Sequence, residues 1–317
     1  MAGSARDQAA LLPPAPGVYR FRDARGQVLY LGRATSLRGR VASYWGDLGG
    51  RAHLGPMVAR IARVEAVACD SVHEAAWLER NLLLARKPPW NRAPAGGQEV
   101  EVWIRLSDDA RTPGLAVVHE PGVHEPALPA AGAAGRGPRY FGPYLGGRQA
   151  RLAVSGLCRV LPLDYAGSEL AGTRHEMARV RGAAAGDRAA LAGQAAAVLD
   201  RDPVAVAGLV TRLTERRDAA SAALAFELAA RLQQEIEALT WVTAEQKVTR
   251  PGQPDRGVCG WSDGFLVRFE IRGGRLAGWA QRGCGAAAAA RHVAGTPAEW
   301  SAFARRNAEL AVRLGAG

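Results

Sequence analysis

The sequence is poor in cysteine, and its cysteines are far apart. The four are Cys69, Cys158, Cys259 and Cys284, separated by 89, 101 and 25 residues. No C-x-x-C pair occurs, and this absence excludes a zinc ribbon and a dithiol redox motif. Scattered reduced thiols are the favoured interpretation.

Long apolar runs are also missing. No segment approaches the roughly 18 consecutive apolar residues that cross a bilayer. Near the N-terminus, Pro13 and Pro14 directly follow Leu11 and Leu12, which excludes the apolar core of a signal peptide. The sequence therefore predicts a cytoplasmic protein that does not contact a membrane.

Lysine is nearly absent, because Lys87 and Lys247 are the two lysines among 41 basic residues. The net charge is nevertheless +11. Residues 1–92 hold 14 basic and 7 acidic residues (net +7), whereas residues 93–317 hold 27 and 23 (net +4). A basic patch of this kind favours a polyanion such as nucleic acid, and a merely solvated basic surface is the equal alternative on charge alone.

The first 92 residues predict a small α+β unit. Gly17–Phe21 and Val28–Leu31 are strand-like pieces around a turn, which is typical of a β-hairpin. Ser36 is placed to cap a helix that begins at the next residue. A second short helix over Val58–Val64 and a strand over Val64–Cys69 follow.

A longer helix is expected next. Ser71 and Glu74 have the spacing of a capping box. Pro88 and Pro89 end the helix near Lys87, because proline cannot continue it.

The full length of 317 residues allows two or three small domains. The chain after residue 92 divides into four segments. They are a linker and variable segment at 93–139, a middle region at 140–199 with a helix over Gln149–Leu161, an αα-hairpin at 200–245, and a strand and helix segment at 246–317 in which Thr296 caps the last helix. Two apolar stripes define the hairpin. They consist of Val206, Leu209, Val210 and Leu213, and of Leu228, Leu232, Ile236 and Leu239.

An unusual set of polar residues and one glycine lies within the first 92 residues. The set is Tyr19, Tyr30, Gly32, Arg33, Arg40, Tyr44, Glu79 and Asn91. Each member alone has a plain structural explanation, as a strand aromatic, a solvated helix residue or a surface cation–aromatic pair. Together they form a combination that a folding core does not need.

This combination suits phosphodiester cleavage. Arginine meets the charge on the non-bridging oxygens with a planar fork of donors. A carboxylate can hold a divalent cation that stabilises the leaving oxygen, and one glutamate is enough for Mg²⁺, which keeps several waters. A tyrosine hydroxyl whose pKa is lowered by nearby cations can activate the attacking water.

The same residues resemble the GIY-YIG nuclease domain of the UvrC family, the incision subunit of bacterial nucleotide excision repair. Gly17-Val18-Tyr19 matches the first signature, and Tyr30-Leu31-Gly32 matches the second with Leu31 for the usual isoleucine or valine. The pattern continues with Ala34, Leu37, Arg40, Ser43-Tyr44, Ser71, Glu74-Ala75, Leu78-Glu79, Asn81-Leu82, Lys87-Pro88 and Asn91.

The resemblance implies roles for individual residues. Tyr19 and Tyr30 match the tyrosines that activate water, Arg40 matches the arginine that contacts phosphate, and Glu79 matches the single metal ligand. Gly32, Arg33, Tyr44 and Asn91 fall at supporting or phosphate-contacting positions. Arg33 stands where the family usually has lysine and keeps the charge. The implied cofactor is one Mg²⁺ or Mn²⁺ ion.

The resemblance extends past this domain. Tyr140-Phe141-Gly142-Pro143-Tyr144 is similar to the segment after the family's nuclease domain. Residues 224–232 resemble the UVR hairpin, which implies contact with UvrB over residues 203–243 and a partner-binding role for Phe226. The alternative is that Phe226 packs into its own hairpin.

Two departures from the family shape the expectation. No cysteine lies between Leu161 and Pro203, so no iron–sulfur cluster is expected. The family's RNase H-like and helix-hairpin-helix domains are expected to be missing after Gly317. The resemblance therefore implies an α+β protein that makes one incision, on the 3′ side, in DNA repair. The alternatives are a non-catalytic UvrB-binding adaptor and a nuclease for branched or invading DNA.

Overall fold

The computed structural model of the protein describes residues 4–92, 99–110, 113–121 and 137–315. Its strands are β1 (Gly17–Arg22), β2 (Val28–Ala34), β3 (Arg63–Ala68), β4 (Glu101–Ser107), β5 (Gly114–Val118), β6 (Arg139–Leu145), β7 (Arg256–Ser262), β8 (Phe265–Arg272) and β9 (Arg275–Gly283). Its helices are α1 (Ala5–Ala10), α2 (Leu37–Ala42), α3 (Gly55–Val58), α4 (Val72–Ala85), α5 (Gly147–Val160), α6 (Thr173–Arg181), α7 (Arg188–Leu199), α8 (Pro203–Ala222), α9 (Phe226–Thr243), α10 (Ala286–Val293) and α11 (Ala298–Gly315).

The chain forms two compact units, and the first combines both ends of the sequence. Residues 1–98 and 245–317 make one unit, and residues 99–244 make the other. The strands form three antiparallel sheets, with the orders β2-β1-β3, β5-β4-β6 and β7-β8-β9. The expected α+β class is confirmed, whereas the sequence-based division into five segments stays a prediction.

The expected hairpin is present as β1 and β2. Tyr19 pairs with Gly32, and Phe21 pairs with Tyr30. Because side chains alternate between the two faces of a strand, Tyr19, Phe21 and Tyr30 share one face and Arg20 lies on the other. The hairpin therefore sets the two candidate tyrosines on the same surface.

The prediction of a helix over Val58–Val64 is wrong. The helix there is α3, which ends at Val58 and begins with Pro56 in its first turn. Val64 instead belongs to β3, where it pairs with Phe21 and is fully buried. A short apolar stretch does not distinguish the two structures, and pairing with β1 decides the outcome.

Helix α4 begins at the expected place, with half of the expected capping box. The Ser71 hydroxyl accepts a hydrogen bond from the Glu74 amide. The Glu74 carboxylate reaches past Ser71 and accepts from the amides of Asp70 (2.7 Å) and Lys247 (2.8 Å). The helix thus joins the start of the C-terminal segment to the end of β3.

The C-terminal segment completes the first unit. Asn307 of α11 clamps Ala68 of β3, accepting from its amide (2.7 Å) and donating to its carbonyl (3.2 Å). The prediction that Thr296 caps α11 is wrong, because its hydroxyl bonds both the amide and the carbonyl of Cys259, each at 2.9 Å. This bond fixes the start of α11 to β7.

The second unit contains the predicted αα-hairpin as α8 and α9. Asp202 caps α8 by accepting from the Ala205 amide. Most of the two apolar stripes is covered, and Leu213 and Leu239 are fully buried. Leu228 was expected in the stripe but is 44% exposed, because it lies one turn from the hairpin tip.

The hairpin tip is apolar and open to solvent. Leu224 is 73% exposed and Phe226 is 64% exposed. These values rule out the alternative in which Phe226 packs into its own hairpin. In the described part of the chain, no helix has the length and apolarity needed to cross a membrane.

Candidate active site

Three tyrosines meet on one face of the β1–β2 hairpin. Tyr19 is fully buried, and its hydroxyl lies 2.7 Å from the hydroxyl of Tyr44. The Tyr30 ring lies beside both of these rings. The ring centres are 6.2 Å apart for Tyr19 and Tyr30, 5.9 Å for Tyr19 and Tyr44, and 6.1 Å for Tyr30 and Tyr44. The result is a cluster of three phenol side chains.

Gly32 makes room for this cluster. A Cβ atom at this position would lie 2.7 Å from the Tyr19 hydroxyl oxygen and 2.8 Å from a Tyr30 ring carbon. Any side chain would therefore displace one of the two phenols. Glycine is required here for space, whatever its backbone angles.

Arg40 supplies positive charge beside the phenols. Its guanidinium carbon lies 5.7 Å from the centre of the Tyr44 ring, and its charge acts on Tyr19. Burial lowers the pKa of Arg40, but the neighbouring phenol groups of Tyr19, Tyr44 and Tyr30 outweigh burial and raise this pKa above its usual value. Arg40 remains a cation, half-exposed and able to contact an incoming phosphate.

Arg51 is a second cation at the cluster, and the sequence analysis missed it. Its guanidinium carbon lies 5.1 Å from the centre of the Tyr44 ring, and it donates to the Ser43 hydroxyl (3.3 Å). Its Nη1 atom is buried and has no hydrogen-bond partner among the residues that the structure describes. No motif marks Arg51, because it lies in a glycine-rich turn with no periodic pattern.

Glu79 approaches from the free edge of β2. Its side chain is buried, with one oxygen accepting from the Arg33 amide (3.1 Å) and the other lying 3.3 Å from the Arg33 guanidinium. Its negative charge acts on Tyr30. Glu79 therefore lies at the boundary between the sheet edge and the phenol cluster.

Asn91 holds the same edge. Its amide oxygen accepts from the Leu31 amide (3.0 Å), and its amide nitrogen donates to the Leu31 carbonyl (2.7 Å). Asn91 thus replaces a missing strand neighbour and fixes the backbone between Tyr30 and Gly32. Its position fits a supporting role, without contact to the phenols.

The expectation of a tyrosine with a lowered pKa is wrong for these side chains. Burial raises the pKa of Tyr19 well above its usual value, and the neighbouring Tyr44 and Tyr30 raise it further. Burial also raises the pKa of Tyr30, to which Tyr44 and the charge of Glu79 contribute. Arg40 opposes both shifts but does not overcome them. The two phenols are neutral hydroxyls near neutral pH.

The donors present fit a hydrated divalent cation. Glu79 offers one carboxylate, and within the described residues no group of three or more His, Cys, Asp or Glu side chains gathers to form a protein-only metal cage. Mg²⁺ is commonly bound through one or two carboxylates with waters and substrate phosphate completing its shell. When bound, such an ion supplies positive charge that favours an ionised phenol or hydroxide.

Cys158 is the cysteine of the middle region, at residues 140–199. It is half-buried, and burial together with Asp164 raises the pKa of its thiol to about 12. A protonated thiol is a poor metal ligand. The expected absence of an iron–sulfur cluster stays a prediction.

A family model described as the UvrC-like GIY-YIG domain matches residues 15–92. The chain carries a UvrC-like GIY-YIG domain. This match covers β1 to α4 and reaches Asn91, so all the candidate site residues of the first unit lie within it. The resemblance to the UvrC family is confirmed.

Curated proteins similar to this chain carry the name UvrABC system protein C. UvrABC system protein C of Desulforudis audaxviator is 33% identical over 279 residues, which cover 84% of this chain and 43% of the relative. The protein of the same name from Mycobacterium sp. (strain KMS) is 34% identical over 291 residues, covering 86% and 40%. The chain thus spans about two fifths of the length of these relatives.

Two solved structures are also similar to the GIY-YIG domain. Both are the GIY-YIG N-terminal endonuclease domain of UvrC from Thermotoga maritima, one bound to its catalytic divalent cation magnesium. They are 27% and 28% identical to this chain, with TM-scores of 0.26 and 0.25. The matched regions make up 28% and 27% of this chain, and 96% and 94% of the two solved chains.

Proposed function

We propose that the chain is a metal-dependent DNA endonuclease of nucleotide excision repair that makes one incision, on the 3′ side of a lesion. The observation that carries this proposal is the convergence of three phenols, Arg40 and Glu79 on one hairpin. The family match over the same residues supports it.

Each side chain has a distinct task in this proposal. Arg40 and Arg51 contact the non-bridging oxygens of the scissile phosphate, where charge grows in the transition state. The Tyr19, Tyr30 and Tyr44 hydroxyls orient the attacking water, and a phenolate among them, which a bound divalent cation would favour, would accept the proton of that water. Glu79 holds the Mg²⁺ or Mn²⁺ ion, and Gly32 and Asn91 keep the phenols in place.

One set of these groups supports one cut per binding event. Water attack on phosphorus with loss of the 3′-oxygen leaves a 5′-phosphate and a 3′-hydroxyl at the nick. The basic residues around the site hold the flanking DNA, and salt weakens this binding because phosphate contacts release counterions.

Strand nicking tests the proposal. A duplex with one defined lesion is incubated with Mg²⁺ or Mn²⁺, with and without UvrA and UvrB. We expect a single nick 3′ of the lesion that EDTA abolishes and that Glu79→Ala slows by at least about 100-fold. Glu309→Ala, which removes an exposed carboxylate from α11, is the matched control and should retain activity.

Three other nicking results would contradict the proposal or favour one of its alternatives. Equal nicking by wild type and Glu79→Ala would contradict the assignment of the metal ligand. Equal nicking of undamaged branched DNA would favour the nuclease for branched or invading DNA. No nicking by folded protein that still binds UvrB would favour the adaptor.

The exposed hairpin tip favours UvrB binding as a second function. Leu224, Phe226 and Leu228 are large apolar side chains left in solvent, and such residues commonly anchor protein interfaces. We expect Phe226→Ala to weaken UvrB binding by at least about tenfold in a titration. Val204→Ala, which truncates an apolar side chain that is 81% exposed at the other end of the hairpin, should leave binding unchanged.

A further inference from the structure

A cavity lies on the face of the N-terminal sheet opposite to the tyrosines. It is formed by β1, the β1–β2 turn, the end of α4, and β9 of the C-terminal segment, all within the first unit. Its volume is about 620 Å³. Pockets for small molecules and cofactors span about 300–1,000 Å³, so the space suits a ligand larger than a single inorganic anion.

The lining of this cavity is strongly cationic. Its charged members are Arg20, Arg22, Arg25, Arg86 and Lys87, and its described lining residues include no Asp or Glu. Lys87 donates to the neutral carbonyl of Arg92 (2.9 Å), which leaves its charge uncompensated. Among the ion pairs between described residues, none involves Arg25, Arg86 or Lys87.

One carboxylate lies behind the cavity, and several guanidinium groups share it. Glu65 pairs with Arg20, with Arg22 (2.8 Å) and with Arg63 (3.2 Å). A single negative charge cannot neutralise three positive ones. The groups around Glu65 therefore keep a net positive charge.

Two buried hydrogen-bond donors in the lining have no acceptor. Arg20 is 7% exposed and Trp279 is 6% exposed, with the guanidinium carbon 3.7 Å from the centre of the indole ring. Arg20 donates through Nε to Glu65 and through Nη1 to the Trp279 carbonyl (2.9 Å). Arg20 Nη2 and Trp279 Nε1 are buried without a partner in the described part of the chain. Buried donors without an acceptor are destabilising, and both belong to residues that line the cavity.

Burial also acts on the charge of Arg20. It lowers the pKa of this guanidinium to about 10, against the opposing effect of Glu65. The ion pair with Glu65 offsets part of this cost of burial.

The other walls of the cavity are apolar. They include Val28, Leu31, Leu82 and Pro89 beside the Trp279 ring. A ligand that fills the cavity therefore combines an anionic group with a flat or apolar part. Inorganic phosphate has only the first of these features, and a nucleoside phosphate has both.

We propose that this pocket binds a nucleoside phosphate, with its phosphate on the arginine and lysine side chains and its base or sugar on the apolar wall. A free nucleotide and a nucleotide unit of a DNA strand present this same chemistry. The pocket is separate from the phenol cluster, and its occupancy does not depend on the proposed cleavage.

Binding in EDTA tests this proposal without any catalytic step. Isothermal titration measures inorganic phosphate, dAMP and a short single-stranded oligodeoxynucleotide against three proteins. These are wild type, the pocket variant Arg86→Ala/Lys87→Ala, and the control Arg291→Ala/Arg305→Ala. All four positions are exposed in the first unit and the charge change is equal, so folding and net charge are matched, as thermal melting would verify.

We expect dAMP to bind wild type and control, and to bind the pocket variant at least about tenfold more weakly. Trp279→Phe, which keeps a ring but removes the orphan donor, should weaken dAMP binding as well. If dAMP fails to bind but the oligonucleotide binds the pocket variant more weakly than the control, the ligand is a unit of a DNA strand. Two results together would overturn the proposal. The first is equal affinity of the oligonucleotide for both double variants. The second is that dAMP does not bind wild type, or that it binds the pocket variant as tightly as wild type.

Discussion

The two edge strands of the N-terminal sheet, β2 and β3, are covered by different side chains. Each leaves backbone amides and carbonyls without a strand partner, and such edges invite unwanted pairing. On β2, Asn91 bonds both backbone groups of Leu31, and Glu79 accepts from the Arg33 amide. This cover consists of the half-buried Asn91 and the buried, ionisable Glu79.

On β3, two buried and neutral amide side chains make most of the cover, and Arg306 adds a bond to the Ala68 carbonyl (3.2 Å). Asn307 bonds both backbone groups of Ala68, and Gln8 accepts from the Val64 amide (2.8 Å). Asn307 is 1% exposed and Gln8 is 5% exposed. Both edges use an asparagine clamp, so chemistry alone does not distinguish them. The difference is the carboxylate, since the β2 edge places Glu79 beside Tyr30 of the phenol cluster and the side chains on the β3 edge serve the fold.

The largest change in stability is expected for Asn307→Ala. It leaves the buried amide of Ala68 without a partner, while the carbonyl keeps its bond from Arg306 (3.2 Å). Because the removed side chain also leaves a cavity, we expect the free energy of unfolding to fall by about 4 kcal/mol. Urea denaturation measures this loss. Ser301→Ala, an exposed change on the same helix, should cost less than about 0.5 kcal/mol. A loss for Asn307→Ala as small as that of the control would contradict the buried-edge interpretation.

A titration at the end of β3 should have the next largest effect. Burial raises the pKa of Glu74 to about 7, from 4.5 for an unperturbed glutamate. Because the folded pKa is the higher one, the stabilising contribution is complete below pH 4.5 and is lost as the pH rises through 7.

Relative to Glu74→Gln, wild type should therefore lose about 3 kcal/mol of unfolding free energy over this interval. Urea midpoints compared at several pH values check this difference. Parallel pH profiles for the two proteins would show that Glu74 is already ionised at low pH.

The smallest effect is expected at the exposed edge. Asn91→Ala should lower the free energy of unfolding by about 1 kcal/mol, because water can replace its bonds to Leu31. Amide hydrogen exchange gives the sharper measurement. The Leu31 amide should exchange faster while the Ala68 amide is unchanged, and Asn307→Ala should give the converse. Similar acceleration at both amides would show that the two edges open together.

Local patterns in the sequence predicted the hairpin, the capped start of α4 and the αα-hairpin correctly. Tyr19, Tyr30 and Tyr44 come together because strand alternation and a short helix place them so. The predictions were wrong where long-range contacts decide the local structure. Val64 pairs with Phe21 in a strand, and the Thr296 hydroxyl bonds Cys259 in place of capping α11. The pKa values of the tyrosines also escaped prediction, because the depth of burial is a property of the packed domain.

The contribution of residues 245–317 to the first unit had no local signal. Asn307 and Ala68 are 239 residues apart, and no periodicity links positions at such a distance. Arg51 and Trp279 likewise belong to no motif, so their contacts to Tyr44 and Arg20 could be found only in the structure.

The clamp of Asn307 on Ala68 also sets an order of events during synthesis. A ribosome adds about 5–20 residues per second, so the 239 residues between the two partners take roughly 10–50 s to appear. For that time β3 has been made and its partner has not. A nascent chain therefore presents an open strand edge to its surroundings, and a chaperone or a slow stretch of translation at this stage would govern the yield of folded protein.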